Sequence, residues 1–314
     1  MNFAEVIKKE ILNKAIKEKH CRKAFLAGII RGAGELYFND DEMGLDIKVN
    51  SEEVALAVSN YLFSIFNYDI REMLVSEDRL NKKDKFVLTL NGDKALEILR
   101  SLEILIEQDN EQVVNLKFYG TITEKDCCLR AFLRGLFLVT GCCTVPTSED
   151  SANTGYHLEL SFSHYTPALQ TSEKLAEYNV LTKITRRREN YIVYIKSAEE
   201  IKDFIAFLPT PISVLKLTDL IISRDIINDS NRRKNCDLGN VNRQIEASAK
   251  QVDAILKIEQ TIGLDGLKAD LKEVAIARKK NPDETLLELA ERLNLSKSCL
   301  NHRLRKLICI AKEL

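Results

Sequence analysis

The stretch LAGIIRGAG, residues 26–34, sets Gly28 and Gly32 about one helical turn apart in a run that is apolar but for Arg31 and ends at Gly34. Glycine inside a helix costs roughly 1 kcal/mol relative to alanine, so a bare backbone here needs a compensating contact. A second helix pressed closely against this one supplies it.

That second helix is in the chain. Moving 107 residues along from Leu26 gives LRGLFLVTG, residues 133–141, with Gly135 under Gly28, Gly141 under Gly34 and Phe132 under Phe25. After the first helix come the strand candidates ELYFN and GLDIKVN, the helical run SEEVALAVSNYLFSIF, the strand candidates DIREMLVS and DKFVLTL, and the helix GDKALEILRSL. After the second come CCTVP, YHLELSFS, the helical TPALQTSEKLAEYN, the strands LTKITRRR and NYIVYIKS, and the helix SAEEIKDFIAFL. Both halves read α-β-β-α-β-β-α, the mark of an internal duplication. Packed across a pseudo-twofold axis, Gly28, Gly32 and Gly135 let the helix backbones approach, and Leu26, Ile29, Ile30, Leu133, Leu136 and Phe137 seal the contact.

This arrangement resembles the LAGLIDADG homing endonucleases, whose name Leu26, Ala27, Gly28, Ile29 and Ile30 nearly spell. The resemblance implies a helix at the interface of each half-domain, ending in an acid that holds Mg²⁺ against the scissile phosphate. Such chemistry needs hard oxygen ligands. Here those positions are Ala33 and Thr140, neither a carboxylate, and Glu35 lies two residues beyond. The expectation is a scaffold without nuclease activity, with no catalytic residues, metal or cofactor. The remaining enzyme reading is an endonuclease using Glu35 as a substitute carboxylate.

The chain has 314 residues and a formal charge of −1, and no run is long enough for a membrane span. The first thirty residues read as an amphipathic helix carrying Phe3, Val6, Ile7 and Ile11, without the continuous apolar core of a signal peptide, so a cytoplasmic protein is expected. Of eight cysteines, Cys127–Cys128 and Cys142–Cys143 are adjacent pairs; with His157 or His164 they lack the spacing of zinc ribbons and fingers, and they read as small buried apolar residues. The hairpin KITRRRENY offers Lys183, Arg186 and Arg188 either as DNA backbone contacts or as a solvated edge that discourages strand pairing.

Charge is unevenly spread: from Arg232 onward there are seventeen Lys and Arg against twelve Asp and Glu, a balance of +5 that leaves −6 elsewhere. Within this basic third, DETLLELAERLNLSKSCLNHRLRKL carries a helix-turn-helix pattern. Thr285 and Glu288 make a capping box, Leu286, Leu289, Ala290 and Leu293 face inward, Asn294 suits a left-handed turn, Leu295 plugs the corner and Ser296 caps the next helix. On that helix Leu300, Leu304 and Leu307 form one stripe; Ser298, Asn301, His302, Arg305 and Lys306 face away, flanked by Lys297 and Arg303. Such a face suits the major groove: Asn301 can pair with adenine, Arg305 with guanine, and Lys297, Arg303 and Lys306 with phosphates.

The predicted organisation is an N-terminal helix (1–20), a duplicated α+β domain (21–208, repeats about 21–108 and 126–208), a helical linker (209–235) and an all-α DNA-binding domain (236–314). LAGIIRGAG, AFLRGLFLVTG, RRKNCDLGNVNRQIEASAKQVDAI and LSKSCLNHRLRKL together resemble the WhiA-type regulators over essentially the whole chain. The resemblance implies a bacterial, nucleoid-associated protein that binds double-stranded DNA, acting in sporulation with a WhiB-type iron-sulfur partner in actinomycetes, or in cell division and chromosome segregation in low-GC Gram-positives. The lysine- and isoleucine-rich composition favours the division role. A monomer is expected, since one chain already holds the pseudo-dimer. An adaptor that docks division proteins is the other non-enzymatic reading.

Overall fold

The computed structural model describes residues 2–39, 42–70, 73–78, 83–146 and 155–314, and the chain divides into two units, Met1–Arg224 and Asp225–Leu314. In the first, α1 (Ala4–Asn13) precedes α2 (Lys19–Ala33), β1 (Gly34–Asn39), β2 (Glu42–Val49), α3 (Glu52–Phe66), β3 (Met73–Asp78), β4 (Lys83–Leu90) and α4 (Gly92–Ser101). A hairpin, β5 (Leu105–Gln108) and β6 (Glu111–Val114), leads into α5 (Asp126–Thr140), β7 (Gly141–Thr144), β8 (His157–Phe162), α6 (Tyr165–Ala176), β9 (Lys183–Arg187), β10 (Asn190–Ile195) and α7 (Ala198–Phe207). Both halves therefore run α-β-β-α-β-β-α, as the sequence predicts. Their antiparallel sheets share one topology, β1-β2-β4-β3 and β7-β8-β10-β9.

At the centre of this unit α2 lies against α5. A methyl group added at Gly28 would meet the Phe132 carbonyl oxygen far inside van der Waals contact, and one added at Gly135 would meet the Phe25 carbonyl in the same way. Each glycine thus faces the phenylalanine one turn before the other, a reciprocal contact of backbone on backbone. Gly32 is different, because an added methyl there meets only side-chain methyls, Val139 Cγ2 at 2.6 Å and Thr140 Cγ2 at 2.8 Å. Leu26, Ile29, Ile30, Leu133, Leu136 and Phe137 are all buried around the seam.

Three expectations change. The N-terminal helix expected over 1–20 ends at Asn13, and Lys14–Glu18 separate α1 from α2, which begins at Lys19. The strand expected from Asp69 begins at Met73, residues 71–72 lying outside the described residues. Among the cysteines, Cys21, Cys128 and Cys143 are buried but Cys127, Cys142, Cys236 and Cys309 are exposed, so the buried-apolar reading fails for half of them.

The described arginines include two that act as struts. Arg134, buried in α5, donates to the carbonyls of Ile11 and Lys14 at the end of α1. Arg31 donates to the carbonyls of Glu103 and Asn115, tying the β5–β6 hairpin to α2, and burial pulls its guanidinium down to about 10. Glu10 of α1 accepts from the amides of Ile212 and Ser213, capping α8 (Pro211–Thr261). Residues 228–235, expected as part of a connector, are helical within α8.

Gly28→Ala and Gly135→Ala should each destabilise the first unit by about 1–3 kcal/mol or more, because a backbone carbonyl cannot move aside as a rotamer can. Gly155→Ala, which meets no atom within 4 Å, should leave the melting temperature unchanged. Thermal unfolding of the three variants beside the parent checks this, and equal melting temperatures would exclude the close approach.

Candidate nucleic-acid interface

The second unit is helical. After α8 come a 3₁₀ turn at Leu264–Gly266, α9 (Ala269–Lys280), α10 (Leu286–Arg292) and α11 (Lys297–Glu313). Its core is Ile255 and Ile258 of α8, Leu271, Val274 and Ala275 of α9, Leu289 and Ala290 of α10, and Leu300, Leu304 and Leu307 of α11.

Local chemistry fixes the α10–α11 corner. The Thr285 hydroxyl accepts from the Glu288 amide at 3.2 Å while the Glu288 carboxylate accepts from the Thr285 amide at 2.8 Å. Hydrogen bonds from Thr285 to the Glu288 carboxyl, that of the backbone amide foremost and then that of the hydroxyl, hold it below its ordinary range. Asn294 takes the left-handed conformation with φ of 51°, and the Leu295 amide donates to the Ala290 carbonyl at 2.9 Å. Ser296 then caps α11 by accepting from the Cys299 amide at 3.2 Å. Ala290, 2% exposed, has the small side chain that such a crossing needs.

This turn fixes the rotation of α11. Leu300, Leu304 and Leu307 are buried, while Lys297, Ser298, His302, Arg305 and Lys306 are exposed and Asn301 is partly exposed. No acidic side chain occurs between Lys297 and Lys312. Arg303 departs from the sequence expectation: its guanidinium turns toward α9 and lies 3.8 Å from Asp270, so it is engaged within the unit.

A residue that the sequence reading passed over supports the corner from behind. Arg278, 2% exposed at the end of α9, donates to the Glu284 carbonyl at 2.7 Å and so holds the loop that leads into α10. Burial pulls its guanidinium below the ordinary value. The signal was present: Leu271, Val274, Ala275 and Arg278 follow the i, i+3, i+4, i+7 spacing of a buried face.

The other proposed cationic site is dispersed. Cross-strand register puts Lys183 and Arg187 on the face that carries Glu159 and Tyr194, with Arg187 3.2 Å from Glu159, while Arg186 shares the opposite parity and stands over Tyr191. Arg188 occupies the turn with φ of 54°. Lys183 and Arg186 therefore lie on opposite faces of β9. At the ends of the paired helices, Thr140 Oγ1 donates back to the Leu136 carbonyl, and the exposed Glu35 carboxylate is ion-paired to Lys48.

Family models match in three consecutive blocks: a WhiA N-terminal LAGLIDADG-like domain over 19–105, a WhiA LAGLIDADG-like domain over 129–227 and a WhiA C-terminal HTH domain over 230–311. A relative from Bacillus cytotoxicus, named "Probable cell division protein WhiA", is 35% identical over 318 residues, covering 100% of this chain and 97% of its own. The chain belongs to the WhiA family. A Bacillus anthracis WhiA of the same printed name is likewise 35% identical with the same coverage. Full-length DUF199/WhiA from Thermatoga maritima shares the fold with a TM-score of 0.58 at 24% identity, covering 100% of this chain and 99% of that one. The N-terminal LAGLIDADG domain of DUF199/WhiA gives a TM-score of 0.50 at 21% identity over 66% of this chain and 89% of that one. The WhiA framework accounts for the mixed α/β unit and for the helix-turn-helix, and the match of the second unit to the WhiA C-terminal HTH domain supports DNA binding. Among the described residues, no helix of this WhiA chain is long and apolar enough to cross a membrane.

Thr285→Ala should cost about 1 kcal/mol by removing one arm of the capping box, and Arg278→Ala should cost more, about 3–4 kcal/mol at most, because it also leaves the Glu284 carbonyl unpartnered. Since the Glu288 carboxyl is held low, its contribution is present above the ordinary carboxylate range and fades as pH falls through the folded value. Hydrogen exchange along 284–300 measures both, and unchanged protection in either variant would refute the bracing.

Proposed function

We propose that this WhiA-family protein is a non-catalytic DNA-binding regulator acting on the cell-division side of the family, cytoplasmic and associated with the nucleoid. The observation that carries the reading is the two-sidedness of α11: a leucine stripe holds it in the unit, and Ser298, Asn301, His302, Arg305 and Lys306 are turned outward with no acid among them. In the proposed complex Asn301 and Arg305 pair with base edges, and Lys297 and Lys306 neutralise phosphates. Arg303 is assigned instead to holding α11 on Asp270. The relatives' printed names favour division over sporulation, and an iron-sulfur partner has no part in this proposal.

The first unit serves in this reading as a shaped platform. Ala33 and Thr140 stand where the endonuclease resemblance needs carboxylates, and Glu35, the substitute acid, is ion-paired to Lys48, which supports a reading without Mg²⁺ chemistry at these positions. Because Arg187 is engaged by Glu159 and its neighbours diverge, Lys183, Arg186 and Arg188 are given no share of the affinity.

Capture of sheared genomic DNA by the full-length protein, beside an Asn301→Ala, Arg305→Ala double variant, tests the reading. Discrete peaks sharing a motif and lost in the variant are expected; featureless retention by both would overturn it. On a captured site, each single variant should weaken binding by about 1–3 kcal/mol, and Lys306→Ala should lower the salt slope by about one. Equal losses on random DNA from all three would remove the base-reading assignment. Supercoiled plasmid incubated with Mg²⁺ or Mn²⁺ should stay intact.

A further inference from the structure

The duplication brings together a set of side chains that the DNA-binding reading leaves unused. His20 and Cys21 lie on the first turn of α2, and Cys127 and Cys128 lie on the first turn of α5. The 107-residue offset that superposes Gly28 on Gly135 also superposes His20 on Cys127 and Cys21 on Cys128, so the two pairs are pseudo-symmetric equivalents. One imidazole nitrogen and three sulfurs from these residues all lie within 4.8 Å of one another. His20 Nδ1 is 3.1 Å from Cys128 Sγ and 3.3 Å from Cys21 Sγ.

Packing accounts for part of this. Cys21 and Cys128 are buried, as small apolar residues at a tight seam would be, but His20 and Cys127 are exposed and gain nothing as core. Their donor atoms nonetheless converge on the buried thiols. A Cys₃His set is a standard tetrahedral donor set for zinc, whose ligand bonds of about 2.0–2.3 Å separate the donors by a little under 4 Å. The two His20 Nδ1–sulfur separations fall somewhat short of that value, and no pair of donors is farther apart than 4.8 Å.

We propose that His20, Cys21, Cys127 and Cys128 form a binding site for one Zn²⁺-class cation, which ties the N-terminal ends of the two duplicated helices together. On binding, each of the three thiols gives up its proton to solvent and the neutral imidazole ligates through Nδ1. Three thiolates on a dication leave one negative charge, and the site lies at two helix N-termini, where the backbone dipoles favour an anion. The outer pair, His20 and Cys127, leaves a route of entry from solvent. The glycine seam and the cation then hold the same helix pair at its middle and at one end.

The test uses full-length protein purified under reducing conditions from zinc-supplied cells. Elemental analysis should find about one zinc per chain, and replacement by Co²⁺ should give the absorption of tetrahedral thiolate ligation. Cys127→Ser, at an exposed position, keeps the fold and should lower affinity by more than the roughly 10–100-fold that outer-shell changes cost; His20→Gln should do the same. A chelator should lower the unfolding temperature of the parent and leave Cys127→Ser unmoved. Metal-free protein that gives no thiolate–cobalt band would overturn the proposal. So would undiminished binding by both variants, or a Cys21–Cys128 disulfide in protein that still takes up no cobalt after reduction.

Discussion

Two backbone contacts, Gly28 on the Phe132 carbonyl and Gly135 on the Phe25 carbonyl, set the spacing of everything in the first unit. A side chain of any size at either glycine would push the helices apart, and each sheet is linked directly to its own helix. Gly34 and Gly141 pass from helix to strand without a loop, at nearly identical φ and ψ of −87°, 137° and −82°, 136°. The distance between the sheets is therefore fixed by the distance between the helices. The side chains around the seam fill the space that the backbone contact defines.

Much of this was legible because glycine is costly in a helix and its recurrence at a fixed offset demanded an explanation. The helix-turn-helix was legible for a related reason, since cap, left-handed turn and small residue each leave a chemical signature at a fixed spacing. The β5–β6 hairpin was missed although Asp109–Asn110 is a suitable turn pair, with φ of 53° and 64°, because strands of four residues give too little alternation to detect. Pairwise relations were harder to see. That Arg303 meets Asp270, that Arg187 meets Glu159, and that His20 approaches Cys128 depend on distant segments folding together, and no local pattern records them.

The two units rest on different physics. In the first, two pseudo-equivalent surfaces bury each other, and its polar struts run to backbone carbonyls. In the second, a small leucine core is supplemented by charge: Arg278 under the loop, Arg303 on Asp270, and Arg292 on Glu284 before α10. These pairs engage Arg278, Arg303 and Arg292 within the unit and leave Arg305 and Lys306 on the outer face. The net basic character of the C-terminal third understates that division, because it averages braces with outward-facing groups.

The N-terminal helix breaks the symmetry of the duplication. Asn2 bridges to Thr144, Arg134 holds the end of α1, and Glu10 caps α8 beyond residue 210, whereas the position in α2 equivalent to Arg134 is Ala27. Residues 2–14 are thus tied to the second repeat, although the first repeat is their neighbour in the chain. With synthesis at roughly 5–20 residues per second, Phe3, Ile7 and Ile11 wait many seconds for the surfaces that bury them. The apolar face of α1 is made well before α5 and β7, against which it packs, so completion of this unit is timed by the growth of the chain.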